Sequence, residues 1–345
     1  MSTICLRFLS WNLKDFGNYD YSSTMSRIAK TVIDDGADIF AIMEVVANRR
    51  GNGVRIGQDL ILEGAKTALK QLCSELNKQD KVSKWMYAVS GVNAGNKDRD
   101  AYAFFWKSTP VGSTTDPLYA TAITLKQGPV ILRKDGSGKE LKFGNSRRPA
   151  ACLFELKNAA ANPATQQIWV VSFHACANFD KETDIKNAIK DCMTASSAIA
   201  GTTPVVIGSD TNLDYSSNQS FFNTLQSSSG FDVEVTDSVG SSLLGKVDTS
   251  GSTPKVAENA YDNIFGKKVK KYTTRPVGVI NVIKNMANER QSKPTKGVKR
   301  SLEDDVVDSF NTFITKNLDN SKAKKGKTAG VSDHLPVTIT VEINN

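Results

Sequence analysis

Val205-Val206-Ile207-Gly208-Ser209-Asp210-Thr211-Asn212 changes character within a single step. Residues without a polar side chain give way to serine, aspartate, threonine and asparagine. So short and unbroken an apolar run reads as a strand buried on both faces, not one with a wet side. A carboxylate at the end of such a strand is costly unless something pairs with it or a cation binds it. The stretch therefore implies a sheet covered on both sides and a polar site at the strand's end.

Reading outward, the same transition recurs. Phe8-Leu9-Ser10-Trp11 leads to Asn12, Ile39-Phe40-Ala41-Ile42-Met43 to Glu44, and Trp169-Val170-Val171-Ser172-Phe173 to His174. In the opposite sense, Asp262 precedes Ile264-Phe265, and Asp333-His334 precedes Leu335-Pro336-Val337. One such placement is noise. Several whose strand ends converge would form an oxygen-rich cup suited to a hard divalent cation. With only 2 histidines in the chain and no cysteine cluster, the donor set points to Mg²⁺ or Mn²⁺ and away from zinc.

Between these points the periodicity alternates. Residues Thr3 to Trp11 read as a strand, and the polar run Asn12 to Ser23 interrupts it. Met25, Ile28, Ala29, Val32 and Ile33 then recur at helical spacing, with Gly36 placed to end the helix. A second helix is expected from about Gln58 to Lys78, and a third along Ile185, Ala188, Ile189, Cys192 and Met193, capped by Asp180 or Thr183. Further strands are expected at 85–90, 101–106, 150–156, 168–173, 204–208, 261–265 and 336–343. Many strands with few helices suggest two packed sheets with helices outside. The 345 residues are read as a single domain with a Lys-rich insertion at about 284–327. Inside that insertion, Ser301 and Asp304 resemble a capping box. The insertion is either a solvated linker or an arm that grips a phosphate backbone.

Lys and Arg number 44 against 36 Asp and Glu, a formal charge of +8. That excess favours polyanionic partners. No apolar run is long enough for a membrane span, and the first residues read as strand, without the pattern of a secretory leader. A cytoplasmic protein, or one exported without a classical signal peptide, is expected. The 5 cysteines have no C-x-x-C spacing and suggest neither a zinc cluster nor a disulfide framework.

Taken in order, six segments resemble the endonuclease/exonuclease/phosphatase superfamily, in particular its deoxyribonuclease I-like branch. They are Ser10-Trp11-Asn12-Leu13 with Phe16-Gly17, Ile42-Met43-Glu44-Val45, Ser172-Phe173-His174, Gly208-Ser209-Asp210-Thr211-Asn212, Ala260-Tyr261-Asp262-Asn263-Ile264 and Val331-Ser332-Asp333-His334-Leu335-Pro336-Val337. The resemblance implies an α/β fold, a four-layer α/β/β/α sandwich, and metal-assisted hydrolysis of a phosphodiester. It implies Glu44 as the main metal ligand, helped by Asn12, with Asp333 at a further metal position. Asp210 would orient or deprotonate the attacking water, and Asn212 would bind the scissile phosphate. His334, held by Asp262, would stabilise developing negative charge; His174 would contact phosphate or act as an acid. The division of acid and base roles between the two histidines and Asp210 stays open.

Ser146-Arg147-Arg148-Pro149-Ala150 resembles the branch's Ser-Arg-x-Pro segment, which makes Arg147 a phosphate contact, and Asp100 takes the place of the acid that pairs with the first histidine, His174. The loop after Glu44, with Arg49 and Arg50, is either a phosphate-gripping loop or a surface turn. There are also departures. Thr211 replaces an aromatic residue, the branch's groove-loop tyrosine is missing near Asn96-Lys97-Asp98-Arg99, and the small disulfide loop is absent. The expectation is a monomeric endonuclease acting on DNA with little sequence preference, with an acidic inhibitor or immunity protein as a candidate partner. The alternatives are a phosphatase of the same superfamily acting on phosphoinositides or other phosphomonoesters, and a non-catalytic nucleic-acid-binding scaffold.

Overall fold

The computed structural model describes residues 3–16, 24–46, 55–56, 59–60, 63–91, 100–109, 120–143, 147–158, 165–175, 181–234, 240–248, 255–272, 278–280, 282–292, 301, 304–306, 309 and 334–344. Its strands are β1 Thr3–Phe16, β2 Ile39–Val46, β3 Arg55–Ile56, β4 Asp59–Leu60, β5 Lys84–Val89, β6 Asp100–Thr109, β7 Ala120–Ile131, β8 Ala150–Asn158, β9 Thr165–His174, β10 Val205–Asp210, β11 Asp232–Val233, β12 Ser242–Asp248, β13 Lys255–Asn259, β14 Asp262–Lys267, β15 Lys270–Lys271, β16 Gly278–Val279 and β17 Val337–Asn344. The helices are α1 Met25–Asp35, α2 Glu63–Gln79, α3 Glu182–Ala200, α4 Gln219–Ser229 and α5 Val282–Ser292.

Two large sheets result. One runs β15-β17-β1-β2-β6-β5, with β16 beside β17; the other runs β11-β14-β10-β9-β8-β7. Each is built around a parallel pair, β1 with β2 and β9 with β10, flanked by an antiparallel partner, β17 and β14. This topology makes the site. Parallel strands end at the same edge of a sheet, and an antiparallel neighbour begins there. The ends of β1, β2, β9 and β10 therefore meet the starts of β14 and β17 at one rim.

Apolar side chains fill three interlayer spaces. Trp11, Phe40 and Phe105 of the first sheet pack against Ile28, Val32, Leu69, Leu72 and Met286 of α1, α2 and α5. Between the sheets lie Phe8, Met43, Tyr102, Phe104, Phe154, Val206 and Ile264. Trp169, Phe173, Ile207 and Phe265 pack on the other side against Ile189, Met193 and Phe222 of α3 and α4. Strands buried on both faces explain the continuous apolar runs, and the layers are α/β/β/α as expected.

Local signals account for the helix ends. Gly36 adopts a left-handed φ of 74° and its amide caps α1, a conformation for which glycine carries no Cβ penalty. The anticipated capping box is present: Asp304 N donates to Ser301 Oγ at 3.0 Å, and Ser301 N to Asp304 Oδ2 at 3.1 Å.

Several expectations need correction. β1 does not stop at Trp11 but continues to Phe16, so Asn12 lies within it at a register shift. α2 begins at Glu63, after the short β4, and α3 is capped by Lys181, leaving Thr183 inside the helix. The Lys-rich stretch opens as helix α5, whose Val282, Ile283, Met286 and Ala287 are buried. β7, α4 and the β12–β13 ribbon were not anticipated. Arg49, Arg50, Asn96-Lys97-Asp98-Arg99, Asp180, Asp333, most of the Lys-rich stretch and the side chain of Asp100 lie outside the described residues.

Candidate active site

Asn12, buried within β1, donates through Nδ2 to Glu44 Oε1 at 3.0 Å and to Asp210 Oδ2 at 2.9 Å. One amide thus joins the two sheets at the rim. Glu44 lies at an irregularity in the β2–β6 ladder and has φ 57°, a conformation uncommon for a residue with a side chain and characteristic of functional positions. Its side chain keeps 17% of its exposure, whereas those of Asp210 and Asp262 keep 1% and 0%.

Across the rim, β9 and β10 place His174 opposite Asp210, and β10 and β14 place Asp210 opposite Asp262. His174 Nε2 is 3.5 Å from Asp210 Oδ2, and Nδ1 is 3.6 Å from Glu44 Oε1. Arg147 Nη1 stands 3.3 Å from His174 Nε2. A guanidinium only donates, so Nε2 is the accepting nitrogen and the ring proton sits on Nδ1, facing Glu44. Tyr102 accepts the His174 backbone N–H at 3.2 Å and so fixes the ring's origin; nothing in the sequence singled it out beyond its place after Asp100.

His334 Nδ1 and Asp262 Oδ2 are 2.8 Å apart, and His334 Nε2 is 3.6 Å from Asp210 Oδ2. Trp11 Nε1 donates to the His334 carbonyl at 2.8 Å. Asn212, at φ 49°, donates its backbone N–H to Asp210 Oδ1 at 3.0 Å and its Nδ2 to the Ala175 carbonyl at 2.6 Å. The structure therefore brings together Asn12, Glu44, Arg147, His174, Asp210, Asn212, Asp262 and His334.

Burial dominates the electrostatics. It pushes the Asp210 carboxyl above the ordinary carboxylate range, against the opposing pull of His334 and His174. It also pushes His174 down to about 3, with the Arg147 guanidinium acting in the same direction. His174 is therefore neutral near pH 7. Below about 6.5 the unfolded chain takes up a proton on this side chain that the folded chain refuses. This contribution to stability is thus complete above pH 6.5 and is lost as pH falls toward 3. In urea titrations from pH 7 to pH 4, His174→Gln should lose stability less steeply than the wild type; parallel slopes would show that the ring titrates normally.

The donor chemistry fits a hard cation. Glu44 and Asp210 supply carboxylate oxygens at one rim, both held by the Asn12 amide nitrogen, and partly exposed Glu44 leaves room for waters that a hard cation retains. Asp210, Asp262 and His334 also bring possible ligand atoms within 4.8 Å of one another. That trio is the poorer choice, because His334 Nδ1 and Asp262 Oδ2 are already spent on each other.

No family model matches the chain, and neither does any curated protein sequence. Solved structures do. An endonuclease/exonuclease/phosphatase family protein from Bacteroides thetaiotaomicron superposes with TM-score 0.53 at 14% identity, covering 100% of both chains. The human Nocturnin catalytic domain with bound sulfate gives 0.51 at 10% identity, over 99% of this chain and 96% of that one. The mannosyl-6-phosphatase of Bacteroides thetaiotaomicron gives 0.50 at 13%, over 97% and 99%. The chain has the fold of the endonuclease/exonuclease/phosphatase proteins. Among the described residues, no helix is long and apolar enough to cross a membrane.

Proposed function

We propose that the protein is a divalent-metal-dependent phosphodiesterase that cuts DNA with little sequence preference. The observation that carries this reading is the joining of both sheets at one rim, where Asn12 bridges Glu44 and Asp210 while His334 pairs with Asp262. A bound Mg²⁺, held by Glu44 with Asn12, would polarise a phosphoryl oxygen.

The chain's own residues divide the remaining work. Asp210, its carboxyl raised by burial, is placed to take a proton from the attacking water. Its two oxygens are fixed by the Asn12 side chain and the Asn212 amide, so the base does not rotate. His334 is oriented by Asp262 so that Nε2 faces the space beside Asp210, where it can meet a phosphate oxygen. Neutral His174 holds no surplus proton near pH 7, which favours phosphate contact over an acid role; Arg147 beside it supplies the positive charge. The net charge of +8 favours a polymer of phosphates over a small monoester.

A plasmid-nicking assay tests the reading. With Mg²⁺, supercoiled DNA should become nicked, and EDTA should stop the reaction. Phosphate release from a phosphoinositide or sugar phosphate with intact plasmid would make the protein a phosphatase. DNA binding without turnover in any divalent metal would make it a scaffold.

A further inference from the structure

The planar peptide unit that joins Tyr261 to Asp262 is gripped at both of its ends. On the carbonyl side stands Thr211, the residue between Asp210 and Asn212. Its backbone N–H donates to the Tyr261 carbonyl at 2.8 Å, and its hydroxyl donates to the same oxygen, also at 2.8 Å. The Leu213 carbonyl lies farther from that hydroxyl, at 3.1 Å. A hydroxyl has a single proton to give, so Tyr261 is its main acceptor. On the N–H side, the Ser241 hydroxyl accepts from Asp262 N at 2.9 Å and donates to the Asn259 carbonyl at 3.4 Å. Thr211 and Ser241 are both fully buried, where water cannot replace a lost partner.

The two grips reach the chemistry from opposite directions. Thr211 continues the chain past Asp210, whose Oδ1 accepts the Asn212 N–H at 3.0 Å, so the first grip is anchored in that pair. The Ser241 carbonyl accepts the Leu335 N–H at 2.8 Å, one residue beyond His334, and the Trp11 indole holds the His334 carbonyl. With its peptide pinned at carbonyl and N–H, Asp262 has a fixed Cα from which to direct Oδ2 to His334 Nδ1 at 2.8 Å. A carboxylate only accepts, so Nδ1 carries the ring proton and Nε2 is turned to the space beside Asp210. We infer that Thr211 and Ser241 are positioning residues: two hydroxyls that clamp one peptide, hold Asp262 at its bearing on His334 and couple that pair to Asp210 and Asn212. The inference rests on the catalytic roles proposed above for Asp262 and His334.

Thr211→Val removes the hydroxyl but keeps the shape of the side chain and the backbone bond; Ser241→Ala removes the acceptor. On bis(p-nitrophenyl) phosphate, well below the melting temperature, each should lower kcat about tenfold, with KM and the Mg²⁺ concentration at half-maximal rate unchanged. Thr211→Ser and Ser241→Thr, which retain the hydroxyl, should restore the rate. In a His334→Ala background neither loss should appear, because both residues act through that ring. A merely structural role would lower the rate equally with and without His334. A second readout needs no turnover. In proton NMR spectra the His334 ring proton held by Asp262 should give a downfield signal that is absent from His334→Ala. That proton should exchange with water about tenfold faster in Thr211→Val and in Ser241→Ala than in the wild type. A rate within about twofold of wild type in either variant, or equal losses in the two backgrounds, would overturn the clamp. A wild type that hydrolyses no phosphodiester would overturn the catalytic reading, and ring-proton exchange would then decide the clamp. Wild-type exchange in the variants, or no such signal in the wild type, overturns it. If Ser241→Ala does not fold, Thr211→Val decides by the same measures.

Discussion

His334→Ala should lower kcat for phosphodiester hydrolysis on the order of 10³-fold, within the range for a positioned acid–base group. The imidazole has two sides, one on Asp262 at 2.8 Å and one toward Asp210 at 3.6 Å. Removing the ring takes away the group that meets the phosphate and leaves the Asp262 carboxylate buried without its partner. Deleting one member of a buried pair costs stability, about 3 kcal/mol or more. Activity must therefore be compared well below the melting temperature of both proteins, with circular dichroism confirming the fold. His334→Ala combined with Asp262→Ala should turn over no more slowly than His334→Ala alone, because Asp262 acts through the ring it holds. Additive losses in that cycle would assign Asp262 a task of its own, and nicking by His334→Ala at the wild-type rate would remove His334 from the chemistry.

How much of this was legible in the sequence depends on what kind of interaction fixes each part. Strands buried on both faces announce themselves as continuous apolar runs, so β2, β8, β9, β10, β14 and β17 could be read directly. Convergence at one rim was only a condition in the sequence, and the strand pairing supplies it: polar residues close the parallel strands β9 and β10 and precede the antiparallel β17. β7 was hidden because Lys126, Gln127, Gly128 and Pro129 interrupt its apolar pattern, and α4 because its Ser, Asn and Gln residues have weak helix propensity. In both, tertiary packing overrides the local signal. The extension of β1 beyond Trp11 was missed for a different reason. Asn12 looks like a strand terminator until its amide is seen bonding to both Glu44 and Asp210. The roles of Tyr102 and Ser241 rest on backbone hydrogen bonds between distant segments, which leave no periodicity to read.

The distance between the sheets directly beneath the rim leads to the second large effect, expected at Gly208→Ala. A Cβ on Gly208 would lie 2.3 Å from Ser10 Oγ, 2.4 Å from Ser10 Cβ and 2.9 Å from the end of the Phe8 ring. Those separations are too short to survive, so β1 and β10 must move apart or Ser10 must shift within a filled core. Overpacking of this kind costs about 1–3 kcal/mol, and the upper end is expected here because the clash includes a main-chain-proximal carbon. Ser10 Oγ has no hydrogen-bond partner among the described residues, so Ser10→Gly sacrifices no bond, only about 1 kcal/mol of strand propensity. The double variant Ser10→Gly/Gly208→Ala should recover most of the loss, giving a coupling energy of about 2 kcal/mol in urea melts. Ser10 and Gly208 each stand two residues before the pair that bonds across the sheets, Asn12 Nδ2 to Asp210 Oδ2 at 2.9 Å. Forcing the strands apart should therefore slow turnover even at temperatures where Gly208→Ala remains folded, and Ser10→Gly should restore rate and stability together. A Gly208→Ala protein that melts within about 0.5 kcal/mol of wild type would show that the sheets do not approach this closely under the site.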